Sequence, residues 1–238
     1  MNQVVPLYHQ LMALYGPQGW WPLLGHDGCN PTKTGSHTGY HPGRYDFPRN
    51  RHEQFEIILG AVLTQNTAWT SVERALNNLS DLHALTPEGL AALEEATLKA
   101  AIRPAGYYNQ KAGYLLSLCK FFQELDGAVP HRRTLLAQRG IGPETADAML
   151  LYAYGQPEFV VDAYTRRIVT ALGWIDAQVS YDAVKALFEA PLEAAFPNAA
   201  FRVQVYQEYH ALLVEHAKRF YSRKPYGTGC PLVEALGG

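Results

Sequence analysis

Asp162 is the residue around which a reaction could be built. It follows Phe159-Val160-Val161, which sets its carboxylate in apolar surroundings, and Arg166 and Arg167 lie one helical turn beyond it. An ionised carboxylate in a partly dry cleft stabilises a developing cation and orients or deprotonates a water. Twenty residues earlier stands Gly140-Ile141-Gly142, preceded by Arg139 and followed by Pro143-Glu144-Thr145. Two glycines around one apolar residue make a tight hairpin, because glycine takes φ > 0 at little steric cost, and Gly142 is expected to use that freedom. Leu135 and Leu136 lead into the hairpin. Pro143 suits the first position of a new helix, where its missing N–H costs nothing. Ala146, Met149, Leu150 and Ala153 then recur at helical spacing until Gly155 and Pro157 end the run. Helix, hairpin and helix together offer backbone N–H groups that hold a phosphate without reading a base. Taken alone, Gly-Ile-Gly fits an ordinary helical hairpin with a buried, salt-bridged aspartate equally well.

Other residues capable of chemistry are scattered along the chain. Leu63-Thr64-Gln65-Asn66-Thr67 separates two apolar helical patterns, and its amide side chains suit a turn. Thr67 is placed to cap the following helix, and Trp69 falls within one turn of it. Trp20-Trp21-Pro22 sits between glycines and prolines, as a core anchor or as one wall of an aromatic pocket. His26, Cys29, His37 and His41 are metal-capable, but their spacing matches no zinc pattern, and a surface insertion over Leu23 to Asn50 is the expectation. Two basic clusters, His131-Arg132-Arg133 with Arg139 and Lys218-Arg219 with Arg223-Lys224, could form a phosphate track beside the hairpin.

The elements that must position these groups read as helices throughout. Apolar periodicity predicts helices over Val4 to Tyr15, Glu53 to Leu63, the stretch from Thr67 to Asn78, Leu90 to Ala101, Lys111 to Leu125, Pro143 to Ala153, Asp162 to Ala171, Tyr181 to Glu189 and Phe201 to Tyr221. No strand pattern competes, so the expected fold class is all-α. The 238 residues, 47% of them hydrophobic, support a real core and exclude disorder. A net charge of −2 excludes a polycation, so any nucleic-acid contact must come from local patches. Apolar runs are too short to span a membrane, and the first residues lack a signal-peptide pattern. Three widely spaced cysteines, Cys29, Cys119 and Cys230, point to a reducing, cytoplasmic setting without a disulfide framework.

The hairpin, the helix after it and the Val-Asp twenty residues on resemble the helix-hairpin-helix DNA glycosylases of the endonuclease III superfamily. Leu63-Thr64-Gln65-Asn66-Thr67 is similar to a Leu-x-x-Gln-x-Thr segment there, and Gly106-Tyr107-Tyr108-Asn109-Gln110-Lys111-Ala112 has a counterpart too. The resemblance covers roughly residues 18–225. It implies two helical lobes: a barrel over 46–156 carrying the hairpin, and a discontinuous lobe of 1–45 plus 157–238 carrying Asp162 as the catalytic carboxylate. It implies phosphate contact by Gly140, Ile141, Gly142, Glu144, Thr145, Arg139 and Arg166, and insertion of Gln65 into the gap left by a flipped base.

Two departures narrow the reading. In bifunctional members a lysine two residues after the second hairpin glycine attacks the sugar; here Glu144 stands there. The four-cysteine frame of their iron–sulfur cluster keeps Cys230 alone, its other positions falling near Phe220, Gly227 and Leu236. No cluster is therefore expected, which leaves a hairpin-bound monovalent cation as the one cofactor allowed. With Trp-Trp-Pro present, the chain is most similar to the type III 3-methyladenine DNA glycosylases. That likeness assigns the base pocket to Trp20, Trp21, Pro22 and Trp69. It implies a monomeric, nucleoid-associated, monofunctional enzyme that acts on double-stranded DNA containing an alkylated purine. A glycosylase for mismatched or oxidised bases, or a non-catalytic lesion-binding protein, remains open.

Overall fold

The computed structural model describes residues 3–232, and all regular structure there is helical. The elements are α1 (Val4–Tyr15), α2 (Arg51–Leu63), α3 (Trp69–Asp81), α4 (Pro87–Ala91), α5 (Glu95–Ala101), α6 (Tyr108–Leu125), α7 (Arg132–Leu136), α8 (Pro143–Ala148), α9 (Ala163–Ala171), α10 (Tyr181–Ala195) and α11 (Ala199–Phe220). A 3₁₀ turn spans Arg103–Ala105, and α8 continues over Met149–Ala153 with π winding. No helix among the described residues is long and apolar enough to cross a membrane.

Two buried helices organise the molecule. In α2 every residue from Phe55 to Leu63 is buried, as expected of a helix apolar nearly all round. Asn50 starts it by accepting from the N–H groups of His52 and Glu53. Around α2 pack α3, α6 and the π segment. In α11 the buried face includes Val205, Tyr206, Tyr209, Leu212 and Leu213, and α1, α9 and the π segment pack on it. The first helix of the chain thus joins the last ones, and Asp162 lies where the chain crosses between the two groups.

The sequence reading needs correction at several elements. Leu90 to Ala101 is not one helix, because Thr86 caps an earlier start through Gly89 N–H and the chain turns over Ala92–Glu94 before α5 begins. Thr67 does not cap α3; Ala68 holds that position, and the Thr67 hydroxyl donates instead to the carbonyls of Gln65 and Ala105. The 23–50 loop is more than a surface insertion, since Tyr40 and His41 are buried and Thr32 donates to Glu215 of α11 at 2.6 Å. Arg132 is drawn away from any phosphate track. It grips the fully buried Asp147 at 2.6 and 3.1 Å, and Lys185 approaches the same carboxylate at 3.2 Å, which clamps α7, α8 and α10 together.

Candidate active-site cleft

The hairpin between α7 and α8 splits its glycines into two roles. Gly140 has φ +80°, and a Cβ there would fall 2.4 Å from the Tyr114 ring. Gly142 does not adopt the positive φ expected of it; at φ −91°, ψ 176° it is the N-cap of α8, and a Cβ there would meet nothing within 4 Å. The space in front of Gly142 is open to an incoming group, beside a helix start whose N–H groups no side chain caps. Gln65 braces this arrangement, its amide donating to the Gly140 carbonyl at 3.0 Å and to Thr145 Oγ1 at 2.9 Å. The carbonyls of Gln138 and Gly140 thus already accept from Ile141 N–H and Gln65, so a hairpin cation would share those oxygens.

A cleft of about 1030 Å³ opens in front of the hairpin. Its lining joins Trp20-Trp21-Pro22, Gln65, Trp69, Gly140, Gly142, Glu144, Thr145 and Asp162. Of the residues singled out from the sequence, Ile141 is buried beneath the hairpin and Arg139 is exposed beside it. Arg166 turns to the α9–α10 connection and donates to the Ala177 and Val179 carbonyls.

Asp162 caps α9, with Oδ1 accepting from Thr165 N–H at 2.7 Å. Its side chain keeps 13% exposure, and Oδ2 lies 3.9 Å from Nε2 of His210 on α11. His210 is buried, which lowers its pKa against the pull of Asp162 and keeps the ring neutral. Its Nδ1 is 2.8 Å from the Tyr152 hydroxyl. The same hydroxyl donates to the Gln207 carbonyl at 3.1 Å, which leaves its oxygen to accept from His210 Nδ1–H. Glu144 reaches solvent but sits inside the concavity, and desolvation there, followed by the charge of Asp162, raises its pKa to about 7.

The tryptophans divide between packing and lining. Trp21 is 6% exposed and wedged between Trp69, at 5.2 Å and 85°, and Tyr152, at 5.2 Å and 59°. Gly60 admits it, since a Cβ there would stand 3.0 Å from Trp21 Nε1. Trp20 and Trp69 are only partly buried; Trp20 meets His210 edge-on at 5.7 Å, with the Lys218 ammonium 5.8 Å from its ring. Buried Glu208 fixes the approach to this segment by accepting from Gln18 N–H at 2.6 Å and Gly19 N–H at 3.3 Å, and burial raises its pKa.

No group of three or more His, Cys, Asp or Glu side chains among the described residues could hold a metal ion. His41 lies between the Trp21 and Arg44 carbonyls, and His26 lies 3.5 Å from Glu53. Cys230 Sγ is buried, 3.1 Å from His216 Nε2 and 3.3 Å from the Tyr221 hydroxyl; Leu236 lies outside the described residues. Sequence reasoning missed His210 and Tyr152. The signal was present in α11, whose apolar run also holds Glu208, His210, Glu215 and His216, and buried ionisable groups of that kind cluster at functional sites.

A helical hairpin set across a cleft from a carboxylate at a helix start is the architecture of the helix-hairpin-helix glycosylases. Residues 59–194 match the family described as HhH-GPD superfamily base excision DNA repair protein. A Methanocaldococcus jannaschii protein designated a DNA repair glycosylase is 36% identical over 98% of this chain and 95% of its own. The structure of Helicobacter pylori 3-methyladenine DNA glycosylase bound to 1,N6-ethenoadenine superposes with a TM-score of 0.68 at 29% identity, over 91% of this chain and 97% of that one. An endonuclease III–DNA complex, 18% identical, shares the fold with a TM-score of 0.72 over 99% and 94% of the two chains. The chain belongs to the HhH-GPD superfamily and is a DNA glycosylase of that family.

Proposed function

We propose that the protein is a monofunctional N-glycosylase that flips an alkylated purine such as 3-methyladenine out of double-stranded DNA and hydrolyses its glycosidic bond. The observation that carries this is Glu144, a carboxylate lining the same cleft as Asp162 at the position where bifunctional relatives place their lysine. A purine alkylated at N3 or N7, such as 3-methyladenine, is already cationic and leaves without an acid catalyst. The chain needs only to stabilise the sugar cation and direct a water, the work assigned to Asp162. Trp20 and Trp69 offer faces to which a cationic base is drawn. Among the described residues the cleft lining also includes one lysine, Lys218, whose Nζ is engaged by Glu215 at 2.5 Å.

DNA lies across the cleft in this reading, with phosphate against Gly142, Glu144 N–H and Thr145 N–H, Arg139 nearby, and Gln65 at the vacated stack. The packing of α1 on α10 and α11 supports a lobe of 1–45 plus 157–238 against a barrel of 46–156. Hydrogen bonding of Cys230 within the protein supports a fold without an iron–sulfur cluster. The setting proposed is cytoplasmic and the acting form a monomer. Duplexes carrying 3-methyladenine, 1,N6-ethenoadenine, an oxidised base or a mismatch, incubated with and without alkali, test the reading. Base release from the 3-methyladenine duplex with strand breaks only after alkali is expected. Breaks without alkali, or release confined to oxidised or mismatched bases, would overturn it.

A further inference from the structure

Lys111 is 2% exposed, yet among the described residues no carboxylate pairs with it. Its Nζ donates to the Leu63 carbonyl at 2.7 Å, the Gln65 carbonyl at 2.9 Å, the Ala105 carbonyl at 2.9 Å and Thr67 Oγ1 at 3.0 Å. Three of these acceptors, on Leu63, Gln65 and Thr67, belong to the turn between α2 and α3, and the fourth is the end of the 3₁₀ turn before α6. Leu63 closes α2, where carbonyls lack helical partners. The ammonium therefore gathers the turn around one point, as a small cation would.

Burial pushes the Lys111 pKa down to about 8. A lysine whose folded pKa lies below its unfolded value makes the folded state less stable at neutral pH than an uncharged group would. The charge is kept at a cost to stability, so its benefit lies in geometry. That geometry converges on one residue. The Gln65 carbonyl is held by Lys111 while the Gln65 amide holds Gly140 and Thr145 of the hairpin. Next to it Asn66 is fixed in the left-handed region at φ +53°.

We propose that Lys111 is a positioning residue for DNA binding, its buried ammonium holding the Leu63–Thr67 turn in the shape that presents Gln65 to the duplex beside the hairpin. This rests on the reading above, in which that turn meets the DNA. Lys111 does not itself line the cleft; it reaches the lining only through Gln65 and Thr67, so its effect should fall on affinity and leave the chemical step alone.

The test compares Lys111→Gln, Thr67→Val, Gln65→Ala and the Lys111→Gln/Gln65→Ala pair on one lesion duplex. It measures the dissociation constant and the single-turnover excision rate at saturating protein. Lys111→Gln should weaken binding about tenfold, the scale of losing hydrogen bonds to a charged group, with the saturated rate within about twofold of wild type. Thr67→Val removes one oxygen from the cluster at little change in shape, so it reports even if Lys111→Gln does not fold; it should weaken binding in the same direction. Adding Gln65→Ala to Lys111→Gln should cost little more, because both act through one contact. Full affinity in Lys111→Gln or Thr67→Val, a loss confined to the saturated rate, or fully additive losses in the pair would overturn the positioning role alone. Undiminished affinity in Gln65→Ala would remove the reading that the turn meets DNA, and the inference with it.

Discussion

His210 Nε2 stands 3.9 Å from Asp162 Oδ2, across the seam between α11 and the start of α9. Burial lowers the pKa of the imidazole, so the ring stands beside Asp162 without a cancelling charge. Tyr152 holds the far side of the ring at 2.8 Å, and Trp20 meets it edge-on. One histidine thus stands between the carboxylate, the π segment and the aromatic wall.

The charge of Asp162 is separable from its capping role. Asparagine caps a helix about as well as aspartate and can keep the bond to Thr165 N–H. Asp162→Asn should therefore retain its melting temperature and its affinity for lesion DNA while the single-turnover excision rate falls by roughly a hundredfold or more, on the scale of single electrostatic groups in other sites. A variant that melts early but excises at the wild-type rate would reduce Asp162 to a cap.

The two hairpin glycines should fail differently. Gly140→Ala places a methyl in the Tyr114 ring at a left-handed position and should cost stability, visible as a lowered melting temperature. The Cβ of Gly142→Val meets no atom within 4 Å, so the fold should persist while phosphate loses its approach. Affinity for damaged and undamaged duplexes should then drop together, since a phosphate contact carries no sequence information. Unchanged binding by a folded Gly142→Val protein would take the hairpin out of the DNA interface.

How much of this was legible in the chain depends on sequence distance. The hairpin, Asp162, Gln65 and the tryptophans announce themselves through local pattern, because glycine punctuation and apolar periodicity act within a few residues. Which glycine goes left-handed does not, nor does the contact that leaves no room for a Cβ at Gly140, because Tyr114 comes to it from another helix. His210 and Lys111 are single polar residues inside helical stretches, and only tertiary packing brings one to Asp162 and the other to the Gln65 turn. Arg132 reads as a DNA contact until Asp147, fifteen residues later and fully buried, claims it.

Glu144 should make DNA binding depend on pH near neutrality. Its pKa of about 7 means that the carboxyl is mostly neutral at pH 6 and mostly charged at pH 8. The charged form repels a phosphate arriving at the neighbouring Gly142. One such unit charge a few ångströms away in water-like surroundings amounts to about 1 kcal/mol, or roughly fivefold in affinity. Wild-type affinity for an undamaged duplex should weaken by about that factor from pH 6 to 8, and Glu144→Gln should flatten the profile. A pH dependence surviving in Glu144→Gln would assign it to another group. The same variant, treated with borohydride on abasic DNA, should show no loss of a trapped band, because no imine forms through this position in the wild type.

Glu56 gives a stability signal that does not involve DNA. It lies in α2, 8% exposed, with Oε1 accepting from Leu24 N–H at 2.7 Å. Burial raises its pKa from 4.5 to about 7, opposed by the Leu24 bond and assisted by Glu53. A carboxyl whose folded pKa exceeds its unfolded one binds its proton more tightly in the folded state. That contribution is fully present below about pH 4.5 and is lost as pH rises through about 7. A shift of this size corresponds to roughly 3 kcal/mol between the two limits. Glu56→Gln keeps an oxygen for Leu24 N–H and has no proton to lose. It should therefore be more stable than wild type at pH 8 and close to it at pH 5, in urea unfolding at both values. Equal pH slopes in the two proteins would show that Glu56 is not the buried acid that makes the fold less stable above neutrality.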